Sequence, residues 1–176
     1  MPGSGAAYGG GRLGSPLRAA VRLAAYIALT LPLMPVQALA VALRMPLRRS
    51  LPLWYHARCC RILGFKIEQR GQPSPVHPTL YAANHVSYFD IMVLASLIDV
   101  SFVAKAEVAR WPLFGWLAKL QRTVFVDRRG HKAGRHRDDI ARRLEQGDDL
   151  VLFPEGTSSD GNRVLGFKSE IGRAHV

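Results

Sequence analysis

Twenty-one consecutive residues without a formal charge, Leu23 to Leu43, lie between Arg22 and Arg44. No other stretch constrains the chain as much, because a helix needs roughly 20 apolar residues to cross the hydrocarbon core of a bilayer. The run is too long for the apolar part of a secretory signal. No small-residue cleavage site separates it from the basic residues that follow, so it reads as a retained segment. Pro32 and Pro35 are expected either to kink one spanning helix or to divide the run into two shorter helices that dip into one leaflet. Both geometries attach the chain to a membrane. The competing reading is a buried core helix.

The charge balance agrees with a membrane. The chain has 24 Lys and Arg against 13 Asp and Glu, a net charge of +11 with a pI near 10.5, which calls for an anionic partner. Nine basic residues precede Glu68, the first acidic one, and they flank the apolar run. A nucleic-acid surface would instead interleave cations with stacking aromatics on a folded face, so no nucleic-acid partner is expected. The cluster after the run (Arg44, Arg48, Arg49, Arg58, Arg61) exceeds the one before it, which puts the downstream domain on the cytoplasmic side. Residues 1–15, rich in Gly and Ser, read as a disordered tail, and residues 16–63 as membrane-attachment helices. Within them, Met45 to Leu63 reads as an interfacial segment with Trp54 and Tyr55 at headgroup depth, or as a helix packed on the domain. Cys59 and Cys60 are adjacent, too close in sequence for a disulfide and without partners for zinc, and no metal is expected.

From Gly64 onward, short apolar runs alternate with polar turns. Strands are expected at Thr79–Asn84, Ser101–Lys105, Thr123–Val126 and Asp149–Phe153, and helices at Phe89–Leu97, Leu113–Leu120 and residues 132–146. The last helix should carry Ala133, Ile140 and Leu144 on one face and the i, i+4 pairs Asp138–Arg142 and Asp139–Arg143 on the other. Strands alternating with helices predict an α/β domain with a largely parallel sheet flanked by helices.

Chemistry in such folds gathers at the carboxyl ends of the strands, where three polar clusters fall. The first is Asn84-His85-Val86-Ser87-Tyr88-Phe89-Asp90. A strand-to-helix turn would bring Asp90 back to His85, fixing the imidazole tautomer and leaving the other ring nitrogen to accept a proton. No serine elbow or activated thiol is near, so the nucleophile should be a hydroxyl of the substrate, with His85 as general base. The second cluster, Val126-Asp127-Arg128-Arg129, offers guanidinium forks suited to phosphate oxygens. The third, Phe153-Pro154-Glu155-Gly156-Thr157, turns from a strand into a polar loop that could hold a headgroup and glycerol hydroxyls.

Together these resemble the glycerolipid acyltransferase family that includes bacterial 1-acylglycerol-3-phosphate acyltransferases. The family is marked by N-H-x-x-x-x-D, an Arg-bearing strand end and F-P-E-G-T, with a Lys-x-Glu segment here at Lys105–Glu107. The likeness covers roughly residues 17–169. It implies His85 as base, Asp90 as its orienting partner, and Arg128 and Lys105 on the acceptor's phosphate. Glu155, Gly156 and Thr157, with Asn84 and Ser87, would line the acceptor site. The reaction implied is acyl transfer from an acyl-coenzyme A or acyl carrier protein thioester to the free hydroxyl of lysophosphatidic acid, giving phosphatidic acid. No cofactor beyond that thioester is expected, and the place is the bacterial inner membrane. Where the family often has Arg after F-P-E-G-T, this chain has Ser158, which removes one phosphate ligand. That keeps open acylation of a lyso-ornithine lipid or another lysolipid. A non-catalytic lipid-binding protein is the remaining alternative.

The family's fold continues past F-P-E-G-T with further strands and a fourth, Pro-containing motif, whereas this chain stops about 20 residues later. Residues 171–176 resemble read-through of a sequencing adapter. The expectation is therefore an incomplete acyltransferase domain over residues 64–170, a non-native scar after it, and a chain that is poorly stable and inactive as it stands.

Overall fold

Two short apolar strands far apart in sequence, Leu80–Ala82 (β1) and Asp149–Leu152 (β4), lie side by side and parallel, with Leu80 opposite Leu150 and Ala82 opposite Leu152. In the computed structural model, which describes residues 15–126 and 133–167, β4 also pairs with Val100–Lys105 (β2), and β2 with Val124–Val126 (β3). The sheet is parallel throughout, in the order β1-β4-β2-β3. Parallel strands need crossovers. Phe89–Leu97 (α3) links β1 to β2, Phe114–Leu120 (α4) links β2 to β3, and Ala133–Glu145 (α5) links β3 to β4.

Alternation along the strands splits the core into two faces. Val100, Phe102, Val151 and Phe153 pack with Ala95, Ile91 and Leu94 of α3. Val103, Val124, Val126, Leu150 and Leu152 pack with Ile140 and Leu144 of α5. The sheet is thus covered on both sides, as its near-continuous apolar strands require.

Outside α3 lie two long helices, Pro16–Ala42 (α1) and Leu47–Leu63 (α2). α1 is one unbroken helix of 27 residues, long and apolar enough to cross a membrane by length and composition. Pro32 and Pro35 do not divide it: both sit on its exposed side, while Thr30, Gln37 and Ala40 are buried on the other. The buried side is bonded along its length to α2, through Thr30 Oγ1 to Tyr55 Oη (2.9 Å), Gln37 Nε2 to the carbonyl of Arg48 (3.0 Å) and Arg22 Nη1 to the carbonyl of Leu63 (2.9 Å). Tyr55 therefore faces α1 rather than a headgroup, whereas Trp54 is exposed, with the Arg58 guanidinium 5.2 Å from its ring. α2 buries Cys59 and Cys60 against α3, where Cys60 Sγ donates to the carbonyl of Met92. Burial pushes the Cys59 thiol up to about 11, which keeps it protonated and unreactive.

The amino end of the sheet is held by two buried carboxylates. Asp148 meets Arg49 of α2 (2.8 Å), Arg122 (2.7 Å) and Arg143 of α5 (2.7 Å). Burial alone would raise its pKa, but the hydrogen bonds and charges of Arg122 and Arg143 outweigh burial and hold it below the usual carboxylate range. Asp149 accepts from the amide of Thr79 (2.7 Å) and meets His77 (2.6 Å), fixing where β1 starts. Arg143 thus reaches Asp148 and the hydroxyl of Ser101 instead of Asp139, and Arg142 takes Asp139 at 2.5 Å. The i, i+4 pattern loses here because a buried carboxylate is a stronger partner than an exposed one.

Candidate active site

At the opposite end of the sheet, the chain leaves β1 and turns into α3 through residues 83–88. Asp90 stands in the first turn of α3, and its Oδ2 accepts three hydrogen bonds: from Nδ1 of His85 (2.9 Å) and from the amides of Val86 (2.6 Å) and Ser87 (2.9 Å). The five-residue spacing works because the turn, not a regular element, closes the distance. A carboxylate offers only acceptors, so Nδ1 carries the proton and Nε2 keeps its lone pair. Nε2 has no partner among the described residues.

His85 rests on Phe153, the residue after β4, with ring centroids 4.3 Å apart and planes inclined by 27°. Phe153 also belongs to the core face under α3, so the imidazole stands on a fixed platform. The next residues complete the frame. Pro154, Glu155 and Gly156 are buried, and a φ of +70° at Gly156, which favours glycine, turns the chain back. Glu155 is only 1% exposed. Its Oε2 accepts from the amide of His85 (3.4 Å) and its Oε1 from the amide of Leu165 (3.0 Å). The amide of Ser159 donates to the carbonyl of His85 (2.8 Å). The first and third motifs, 70 residues apart at His85 and Glu155, are therefore one bonded unit.

Asn84 and Thr157 are exposed beside this unit. The hydroxyl of Ser87 accepts from the amide of Phe89 (3.2 Å), so it serves the turn that opens α3. Both carboxylate oxygens of Glu155 are engaged by backbone amides, those of His85 and Leu165. Lys105 closes β2, next to β4 in the sheet, exposed and without an ion pair among the described residues. Arg128 and its neighbour Arg129 lie outside the described residues, as do residues 1–14 of the expected tail and the whole 171–176 segment. Sequence reasoning did not assign a role to Phe153, although an aromatic at the end of a buried strand beside a histidine motif is the signal for such a platform.

Behind the site, a cavity of about 710 Å³ runs between α1, α2, α3 and α4. Its wall is almost wholly apolar, with Leu23, Leu33 and Met34 of α1, Leu51 of α2, and Tyr88 and Phe89 from the turn that carries Asp90. A space with such a wall suits an aliphatic chain.

Comparison with known proteins agrees with this geometry. Residues 66–176 match the acyltransferase family model. The chain is 47% identical over 146 residues to the lyso-ornithine lipid O-acyltransferase of Rhizobium meliloti, covering 82% of this chain and 50% of that protein. It is 35% identical over 104 residues to the 1-acyl-sn-glycerol-3-phosphate acyltransferase of Neisseria gonorrhoeae, covering 57% and 41%. The crystal structure of the 1-acyl-sn-glycerophosphate acyltransferase of Thermotoga maritima superposes with a TM-score of 0.64 at 19% identity, over 90% of this chain and 68% of that one, which shows a shared fold. The chain spans about half the length of the curated relatives it matches.

Proposed function

The chain belongs to the acyltransferase family, and from that premise we propose that its parent protein transfers a fatty acyl group from a thioester to the free hydroxyl of a membrane lysolipid. One observation carries the reading: Nδ1 of His85 is held by Asp90 at 2.9 Å, while Nε2 has no partner among the described residues and can take a proton. As the acceptor hydroxyl attacks the thioester carbonyl, Nε2 removes its proton and Asp90 stabilises the imidazolium. The tetrahedral intermediate then expels the thiolate, which recovers that proton from His85, leaving an oxygen ester and a free thiol. Every atom is accounted for by the chain, the acyl thioester of coenzyme A or acyl carrier protein, and the lysolipid; no further cofactor is needed.

The acceptor we favour is lyso-ornithine lipid. Relatives named for that substrate share 39% to 47% identity with this chain, against 35% to 36% for those named for 1-acylglycerol-3-phosphate. Ser158, in place of an arginine, also removes a ligand that a phosphate would use. Lysophosphatidic acid is the second reading, supported by Lys105, which has no ion pair among the described residues and lies at the site's end of the sheet. The apolar cavity would hold an acyl chain.

Attachment to the cytoplasmic face of the bacterial inner membrane completes the proposal. α1 is bonded along its buried side to α2, which carries Arg48, Arg49, Arg58 and Arg61, and to the α/β domain through Gln37 and the carbonyl of Leu120 (2.9 Å). A spanning α1 would drag those charges into hydrocarbon, at several kcal/mol for each. Lying within one leaflet costs far less, so α1 is assigned to one leaflet.

The test is acyl transfer by membranes containing the complete protein, with acyl-coenzyme A or acyl carrier protein as donor and each lysolipid as acceptor. Product with lyso-ornithine lipid supports the reading in full. Product only with lysophosphatidic acid selects the second acceptor, and activity that survives His85→Ala overturns the mechanism.

A further inference from the structure

Trp111 to Trp116 joins a 3-10 turn, Ala106–Arg110, to α4. Trp111, Pro112, Leu113, Phe114 and Trp116 are all exposed, Trp116 by 65%, and only Gly115 among the six is buried. Folded surfaces normally carry large apolar residues singly, and four exposed in a row mark a surface meant to be covered. The knuckle they form is rigid. Leu113 is held at a φ of +59°, a region that branched side chains rarely enter. Gly115 packs so closely on the preceding turn that a Cβ there would lie 2.5 Å from the carbonyl oxygen of Ala109. The amide of Gly115 donates to the carbonyl of Trp111 (2.9 Å). This backbone holds the aromatic rings outward whether or not anything covers them.

Three further features identify what covers them. Arg110 precedes the knuckle, and the ammonium of Lys119 lies 5.5 Å from the ring of Trp116, so the apolar surface has a cationic rim. Tryptophan with flanking Lys or Arg suits the boundary between headgroups and acyl chains of an anionic leaflet. The knuckle also opens α4, whose last carbonyl, that of Leu120, is bonded to Gln37 of α1. It is therefore continuous with the apolar helix that attaches the chain to the bilayer. On its inner side, Trp111 and Phe114 touch Tyr88, at ring separations of 6.0 and 5.3 Å. Tyr88 stands two residues before Asp90, and Phe114 and Tyr88 both line the apolar cavity.

We propose that Trp111–Trp116 is a second bilayer-inserting element, carried by the α/β domain itself, which enters the headgroup region of an anionic leaflet. It fixes the depth of the His85–Asp90 turn relative to the lipid, so that a substrate chain passes from leaflet to cavity along apolar side chains. The inference rests on membrane attachment but not on turnover, so it stands or fails separately from the acyl-transfer reading.

The experiment uses single-tryptophan forms of the full chain, since Trp54, Trp111 and Trp116 are the three tryptophans. Trp54→Phe with Trp111→Phe isolates Trp116, and Trp111→Phe with Trp116→Phe isolates Trp54. Each is bound to vesicles of phosphatidylcholine and phosphatidylglycerol whose chains are brominated near the headgroup or near the methyl end. The expected result is a blue shift of Trp116 emission on binding, with quenching roughly twofold or more stronger from the shallow bromines, as insertion by 5–10 Å requires. Vesicles of phosphatidylcholine alone should give a weaker shift. A bound protein whose Trp116 keeps its water-exposed emission and escapes both quenchers overturns the proposal. So does Trp116 emission that is already blue without lipid and depends on protein concentration, because the knuckle is then covered by a second copy of the chain.

Discussion

Nδ1 of His85 and Oδ2 of Asp90 lie 2.9 Å apart across a turn that the same carboxylate oxygen closes by accepting two backbone amides. Replacing Asp90 by Asn keeps an oxygen in the Oδ2 place for the two amides and Nδ1 but removes the negative charge that stabilises the imidazolium. Asp90→Asn should lower kcat by about 10²–10⁴ and His85→Ala by at least as much, with KM changed less than about tenfold. Steady-state kinetics on membranes containing the complete protein provide the check; two variants with near-normal kcat would remove His85 as the base.

Glu155 gives a different signature because it is buried and bonded to backbone rather than exposed to substrate. Glu155→Gln keeps the shape but turns one acceptor into a donor facing an amide. Glu155→Ala leaves both amides unpaired. Each should destabilise the fold by about 1–3 kcal/mol, read as a lower denaturant midpoint, and should lower kcat through the displaced His85 loop. Full stability with lost activity would mean that Glu155 touches substrate instead.

Asp148 is held ionised by Arg49, Arg122 and Arg143 at the end of the sheet away from His85. Asp148→Ala leaves buried guanidinium charge uncompensated and should cost about 3–5 kcal/mol. The folded fraction should retain its kcat. Because the folded pKa lies below the unfolded one, the stabilisation is present at neutral pH. It is lost as pH falls below the ordinary value of about 4. Denaturant midpoints of wild type and variant, followed into acid, should converge in that window.

His56 acts at higher pH. Its Nε2 faces Oε1 of Gln121 (3.1 Å), and Nε2 of Gln121 donates to the carbonyl of Val100 (2.8 Å), so the amide orientation is fixed and the imidazole donates. Nδ1 is sealed from solvent without a partner among the described residues. Burial pushes the His56 pKa down to about 4, against a partial upward pull from Gln121. The unfolded chain therefore binds one more proton between about pH 4 and 6.5, and stability present above that range falls by up to about 3 kcal/mol across it. His56→Leu should flatten the stability profile in this interval. An unchanged slope in the variant would assign the titration to another group.

Much of this arrangement was legible in the residues. The strands and helices of the α/β domain fall where apolar runs and Gly or Pro breakers place them, and the His85–Asp90 turn follows from a polar cluster at a strand end. What local pattern does not contain is partner choice. Nothing near Arg143 says that Asp148, just before the next strand, will outcompete Asp139 four residues away. Nothing near Glu155 says that its oxygens will be used on the backbone of His85. The unbroken course of α1 through Pro32 and Pro35 likewise depends on α2 along its other side.

The position of β4 has a consequence for how such a molecule comes into being. On a ribosome β1 and β2 emerge early, yet they are not neighbours: the gap between them waits for residues 149–152. Until then both strands present open edges, and the contact that closes them joins segments about 70 residues apart, the kind of long-range closure that slows folding and invites association of nascent chains. Phe153 and Glu155 arrive with that same strand. The histidine turn, made early in synthesis, therefore acquires its platform and its brace together, in one later event.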